Sequence, residues 1–334
     1  MEQPRVQRTT EMPEDFKLIR ENLLREFSGK NVEGINTKRA EEFIKKEGME
    51  VKPYVIIEKG DLPKLQEIVG DSESFKRHIE EGGLGVYAAG IDLAIVFRDG
   101  NYEGINGEIF TERFLVHELA HASSKHGVYT SEPGFNDFPT VLRIGFCLRS
   151  EQKNGSWGEL IEEGWAEMQS ANYFARYATK EDKERLESIL KLGSLGVNDT
   201  IPTGMFLDVP MVNVGVGEPL PLPLKYIFLN PEGRLSVARA AFAGYALEIL
   251  CQNNLSLAPA MIEARKSLGG LRKFARTLWE TSPDLYKTLQ TSDYSARGFR
   301  KKLEVVINKV GGGVEKVIKA RGPLKDKWDK ILKK

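Results

Sequence analysis

The sequence predicts an α+β fold: a small mixed sheet in the first third of the chain, one helix carrying a candidate site, and a mostly helical C-terminal half. Three observations lead there. Short β-rich runs at 54–57, 85–88 and 91–97 gather ahead of residue 100. They are followed by Phe114-Leu115-Val116-His117-Glu118-Leu119-Ala120-His121, an apolar run that reads as helix. From Leu235 onward the apolar residues recur almost throughout at helical spacing.

In chain order, Glu14–Phe27 and Thr37–Lys46 have helical periodicity, the first through Phe16, Ile19, Leu23, Leu24 and Phe27. Tyr54-Val55-Ile56-Ile57 is a strand, and Asp61 caps a helix running to Val69. Two strands, Gly85–Ala88 and 91–97, meet at Ala89-Gly90, and Arg98-Asp99-Gly100 is a turn. The next helix starts near Thr111 and ends at Gly127. Residues 141–148 read as strand, Lys153-Asn154-Gly155-Ser156 as a turn, Glu159–Tyr177 as helix and 210–223 as proline-rich loop. Helices are expected at 236–251, 259–267, 271–279, 297–310 and 314–319, with a glycine hinge at 311–313. Three regions result: an N-terminal α+β part over 1–127, a mainly helical part over 128–296 and a basic helical tail over 297–334.

The chain has 334 residues, enough for one large domain or two ordinary ones, and 41% hydrophobic against 29% charged residues is a soluble globular balance. Lys+Arg and Asp+Glu are both 48, so the chain as a whole does not select nucleic acid, and no nucleic-acid partner is expected. The balance is uneven: 297–334 holds 13 basic and 4 acidic residues, a net +9 suited to an anionic partner or simply to a solvated basic face. Two cysteines, no apolar leader and no transmembrane stretch make cytoplasmic residence the expectation.

His117-Glu118-Leu119-Ala120-His121 is an HExxH pentapeptide, and two of the four histidines of the chain fall in it. Residues four apart share a helix face, so both imidazoles can meet one Zn2+, with Glu118 beside the first as catalytic base. A catalytic zinc takes three protein ligands and keeps one position open. Downstream, Glu162-Glu163-Gly164-Trp165-Ala166-Glu167 offers the carboxylates. Glu163, Glu162 and Glu159 are the candidates for the third ligand, and the phase of the helix decides among them.

HExxH followed by EGxAE resembles the gluzincins, the metallopeptidase clan of thermolysin and the zinc aminopeptidases. The resemblance covers about residues 84–180. It puts Glu162 in the place of an asparagine, Glu163 in the ligand place and Glu167 in that of the carboxylate four residues on, which accepts the outer N–H of a zinc-bound histidine. It implies a zincin-like core, a peptide or protein substrate, and hydrolysis by metal-activated water with Glu118 as general base. The metzincin pattern would need histidine at 127, where the chain has Gly127.

The chain departs from zinc aminopeptidases in two places. The stretch before HExxH, Gly104-Ile105-Asn106-Gly107-Glu108, lacks the exopeptidase signature, and Ala241 stands where their downstream tyrosine would be. Tyr245, Tyr226, Tyr173 and His126 are the candidate oxyanion donors. A catalytically degenerate zincin-fold binding or regulatory protein is the alternative reading.

Overall fold

The computed structural model describes residues 8–9, 11–28, 34–70, 84–98, 107–124, 129–133, 139–141, 143–149, 156–192, 201–206, 209–213, 220–229, 235–238, 240–253, 256–281, 283 and 286–287. The architecture is mixed α/β, mostly helical with small sheets. Helices α1 (Glu14–Phe27), α2 (Thr37–Lys46) and α3 (Leu62–Val69) accompany strands β1 (Tyr54–Glu58), β2 (Gly85–Ala88) and β3 (Leu93–Arg98). The strand order is β1-β3-β2, with β1 parallel and β2 antiparallel to the central β3. A turn of 3-10 helix at Ala89–Ile91 joins β2 to β3, closed by Asp92 in the left-handed region (φ 47°), a conformation aspartate tolerates.

The sheet is covered on both faces, as the period of two along a strand requires. Val55, Ile57, Leu93, Ile95 and Phe97 pack with Leu23, Phe27 and Leu65 of α1 and α3. Ile56, Ala94 and Val96 point the other way, into the larger core built on α4 (Gly107–Ala122) and α5 (Glu159–Tyr177). α4 begins about one turn ahead of the Thr111 start read from sequence.

α5 packs against both α4 and α7 (Ala241–Asn253), and α8 (Leu257–Lys266) packs on α9 (Leu268–Thr281). A helix the sequence reading passed over, α6 (Lys180–Leu192), follows α5. The closest neighbours of Gly164 are on α7. A Cβ on Gly164 would lie 2.8 Å from Ala243 Cβ, and one on Gly244 would lie 2.8 Å from the Gly164 carbonyl oxygen. Paired glycines therefore set the α5–α7 crossing.

Three further expectations are corrected. Residues 143–149 form a tight hairpin, Arg143–Ile144 against Cys147–Arg149, because Gly145 (φ 54°) turns the chain where a single strand was read. The region read as a proline-rich loop, 210–223, overlaps the strand Val209–Asn213, which pairs with Ile201–Phe206 and with Leu220–Pro221. Leu235–Val237 is a strand pairing with Ile227–Leu229, so the helix expected from 236 starts at Ala241. The Arg98-Asp99-Gly100 turn beyond Arg98, Gly127, 153–155 and the tail 297–334 lie outside the described residues. No helix among the described residues is long and apolar enough to cross a membrane.

Candidate metal centre

Leu115, Val116, Leu119 and Ala120 bury one side of α4 in the core, which fixes the rotation of the helix. His117 and His121 then stand one turn apart on the face turned to α5. Their Nε2 atoms are 3.2 Å from each other. Glu163 Oε2, arriving from α5, lies 3.7 Å from His117 Nε2 and 3.6 Å from His121 Nε2. The three edges bracket the roughly 3.3–3.4 Å ligand spacing of a tetrahedral ion with bonds of about 2.0–2.1 Å. The donor set thus fits a divalent zinc-like ion. Among the described residues no fourth His, Cys, Asp or Glu joins the group, and Glu163 is 41% exposed, so the triangle keeps an open side.

Each imidazole presents its other nitrogen to a buried carboxylate, and each carboxylate is held by a buried arginine. His117 Nδ1 is 3.3 Å from Glu167 Oε2, whose partner oxygen accepts from Arg113 Nη2 at 2.6 Å. Arg113 also donates to the Ile227 carbonyl at 2.9 Å. His121 Nδ1 is 3.2 Å from Glu162 Oε1, which accepts from Ser124 Oγ and from Arg265 Nη2, each at 3.1 Å. Glu162 Oε2 accepts the Phe146 backbone N–H at 3.0 Å. Such partners fix which nitrogen is free for metal and which way the ring points. Glu167 faces the outer nitrogen of His117 from α5. Glu162 stands against the outer nitrogen of His121, while Glu163 is the carboxylate that approaches both Nε2 atoms.

Electrostatics follow these contacts. Burial alone would lower the pKa of both histidines, but the carboxylates win: His117 is raised well above its ordinary value by Glu163 and Glu167, and His121 is pushed up to about 9 by Glu163 and Glu162. Burial would raise the carboxyls, yet Arg265 and His121 hold Glu162 below the usual range, and Arg113 and His117 do the same for Glu167. Glu163 is held low by the two imidazoles against the same effect of burial. A cluster that draws protons onto its imidazoles and off its carboxyls is one in which positive charge is wanted.

Glu118 is 7% exposed and leans on β2: a Cβ on Gly85 would come within 2.9 Å of its carboxylate. Among the described residues β2 is one of the two edge strands of its sheet, and it packs on α4. The tyrosine candidates are placed differently. The Tyr173 hydroxyl donates to Glu112, which also pairs with Arg39. The Tyr226 hydroxyl donates to Glu248 Oε2 at 3.0 Å. Tyr245 is buried beside Tyr226, ring centroids 5.9 Å apart. None of the three is joined to the metal-ligand triangle by a hydrogen bond among the described residues, and His126 lies outside them.

Sequence reasoning missed Arg113, Arg265 and Ser124. For Arg113 a signal existed: Glu112-Arg113 interrupts an apolar helix one turn before His117. Compared with known proteins, the chain matches no family model, no curated protein and no solved structure.

Proposed function

We propose that this chain is a zinc-dependent peptide hydrolase on a zincin-like core, its centre built as in the gluzincins it resembles in sequence. The observation that carries the reading is the convergence of His117 Nε2, His121 Nε2 and Glu163 Oε2, within 4.8 Å of one another, beside a buried Glu118. A structural zinc would use four protein ligands and no neighbouring acid. Zinc, when bound, supplies a Lewis acid that makes water a competent nucleophile near neutral pH.

The rest is work for the chain. Glu118 takes the proton that the attacking water gives up and delivers it to the leaving amine. Glu162 and Glu167 hold the outer nitrogens of His121 and His117, so both rings offer Nε2 inward. Apolar neighbours keep α4 from rotating, and an extended peptide would lie along β2.

Zinc content and cleavage of a mixed peptide library, followed by mass spectrometry, test the reading. The zinc-loaded chain should cleave, and Glu118→Gln should keep one zinc while cleaving at least about 100-fold more slowly. A chain that binds zinc but cleaves nothing is a binding protein on this scaffold.

A further inference from the structure

We propose that Arg265 is a positioning residue of the metal centre, clamping Glu162 onto His121 from a helix that itself provides no ligand. The proposal rests on the zinc reading above. Arg265 is on α8, far along the chain from HExxH, and only 3% exposed. Its Nη2 donates to Glu162 Oε1 at 3.1 Å, and also to Ser124 Oγ and to the Ala120 carbonyl. Nη1 reaches Ser123 Oγ at 3.3 Å, and the guanidinium lies 5.3 Å from the centre of the Trp165 ring.

These acceptors share one feature: they surround His121. Ala120 is in the last turn of α4, where carbonyls lack an intrahelical partner and a cation is favoured. Ser124 is two residues past the helix end and shares the Glu162 oxygen that faces His121 Nδ1. One guanidinium therefore closes the end of the HExxH helix and orients the carboxylate that orients its second ligand. Arg143, also buried, donates to two backbone carbonyls, Gly145 and Ala264, and its charge also acts on Glu162.

The two histidines are consequently held in different ways. Arg113, which holds Glu167 against His117, is on α4 itself, one turn upstream. The clamp on His121 comes from α8. Metal affinity is thereby tied to the docking of α8, although every ligand precedes residue 164.

Zinc affinity by chelator competition tests this, with the visible absorption of the Co2+-substituted chain as a report on ligand geometry. Arg265→Met should weaken zinc by about 10–100-fold and alter the Co2+ spectrum. Arg265→Lys, which restores the charge without the fork, should recover part of the loss. If Arg265 acts through Glu162, the double variant Glu162→Gln/Arg265→Met should bind no more weakly than Glu162→Gln alone. Should Arg265→Met fail to fold, the double variant, freed of the orphaned buried charge, and Ser124→Ala carry the same comparison. Unchanged zinc affinity and Co2+ spectrum in Arg265→Met, or losses that multiply in the double variant, would overturn the proposal while leaving the zinc reading intact. A wild-type chain that binds no zinc overturns both.

Discussion

Glu162 Oε1 stands 3.2 Å from His121 Nδ1, while its neighbour Glu163 aims a carboxylate oxygen at Nε2 of the same ring. Two consecutive glutamates thus address opposite nitrogens of one imidazole. Successive helical residues differ by about 100° in direction, so this works only because α5 passes His121 with the 162–163 edge toward it. The imidazole is gripped from both sides, and its proton equilibrium follows from that grip.

Zinc uptake should release protons and strengthen with pH. His121 in the metal-free chain has a pKa of about 9, against an ordinary 6.5, so it is protonated at neutral pH and must lose that proton to bind metal. Affinity should rise by roughly tenfold per pH unit for each proton displaced, and the share due to His121 should level off near pH 9. Metal-free stability runs the opposite way. The contribution of His121 is fully present below its ordinary 6.5 and lost as pH rises through about 9. Glu162 and Glu167, held low, contribute above the ordinary carboxyl value and lose that contribution as pH falls through their folded values. Isothermal titration with zinc in buffers of different ionisation enthalpy measures the proton count. Zero protons released at pH 7 would contradict the prediction.

Tyr173 should prove structural. Its hydroxyl is committed to Glu112, a 1%-exposed carboxylate that also accepts the Asn36 backbone N–H at 2.7 Å and pairs with Arg39. Tyr173→Phe removes one hydrogen bond to a buried charge and should cost about 1.5–3 kcal/mol in stability, seen as a lower urea midpoint. The hydrolysis rate per folded molecule should not change. A rate loss larger than the loss of folded protein would return Tyr173 to the chemistry.

How far the site was legible in the sequence depended on the range of each interaction. HExxH is a periodic signal within a single helix, so His117 and His121 are legible from spacing alone, whereas Glu163 is singled out among its neighbouring glutamates only by the resemblance of its stretch to the gluzincin motif. The role of Glu162 depended on how α5 is rotated against α4, and that rotation is set by the Gly164–Gly244 contact with α7. Arg265 gave no local sign, because a buried arginine in a short helix has the same pattern as an exposed one. In the fold, β1 to β3 were readable because β-branched runs between turns leave few options. The Ile201–Phe206 and Val209–Asn213 hairpin was not, since Pro202 and Pro210 speak against strand until the pairing partner is known.

Gly164 should tolerate no side chain. A Cβ there meets Ala243 Cβ at 2.8 Å and the Ala243 carbonyl carbon at 2.9 Å, and neither can swing aside as the end of a flexible side chain would. Gly164→Ala should therefore cost about 1–3 kcal/mol by overpacking. Because Glu163 is the adjacent residue, a shift of α5 also displaces a ligand, so zinc affinity should fall along with the melting temperature. A Gly164→Ala chain that melts like wild type would mean that α5 and α7 adjust more freely than their crossing implies.

Gly85 should separate chemistry from metal binding. It belongs to β2, not to either ligand helix, and a Cβ there would lie 2.9 Å from Glu118 Oε1 and 3.0 Å from its Cγ. Alanine forces the Glu118 carboxylate away by a few tenths of an ångström, and valine by more. Proton transfer in the transition state is sensitive to placement on this scale. The three atoms nearest that Cβ all belong to Glu118 and none to His117, His121 or Glu163, so zinc affinity should hold. On peptide cleavage, Gly85→Ala should lower kcat by about tenfold and Gly85→Val by about a hundredfold or more, with zinc stoichiometry unchanged and KM altered less. Equal activity in Gly85→Val and wild type would show that Glu118 does not need its present position, which removes it as the base. Loss of zinc together with activity would instead mean that β2 supports the ligand helix as a whole.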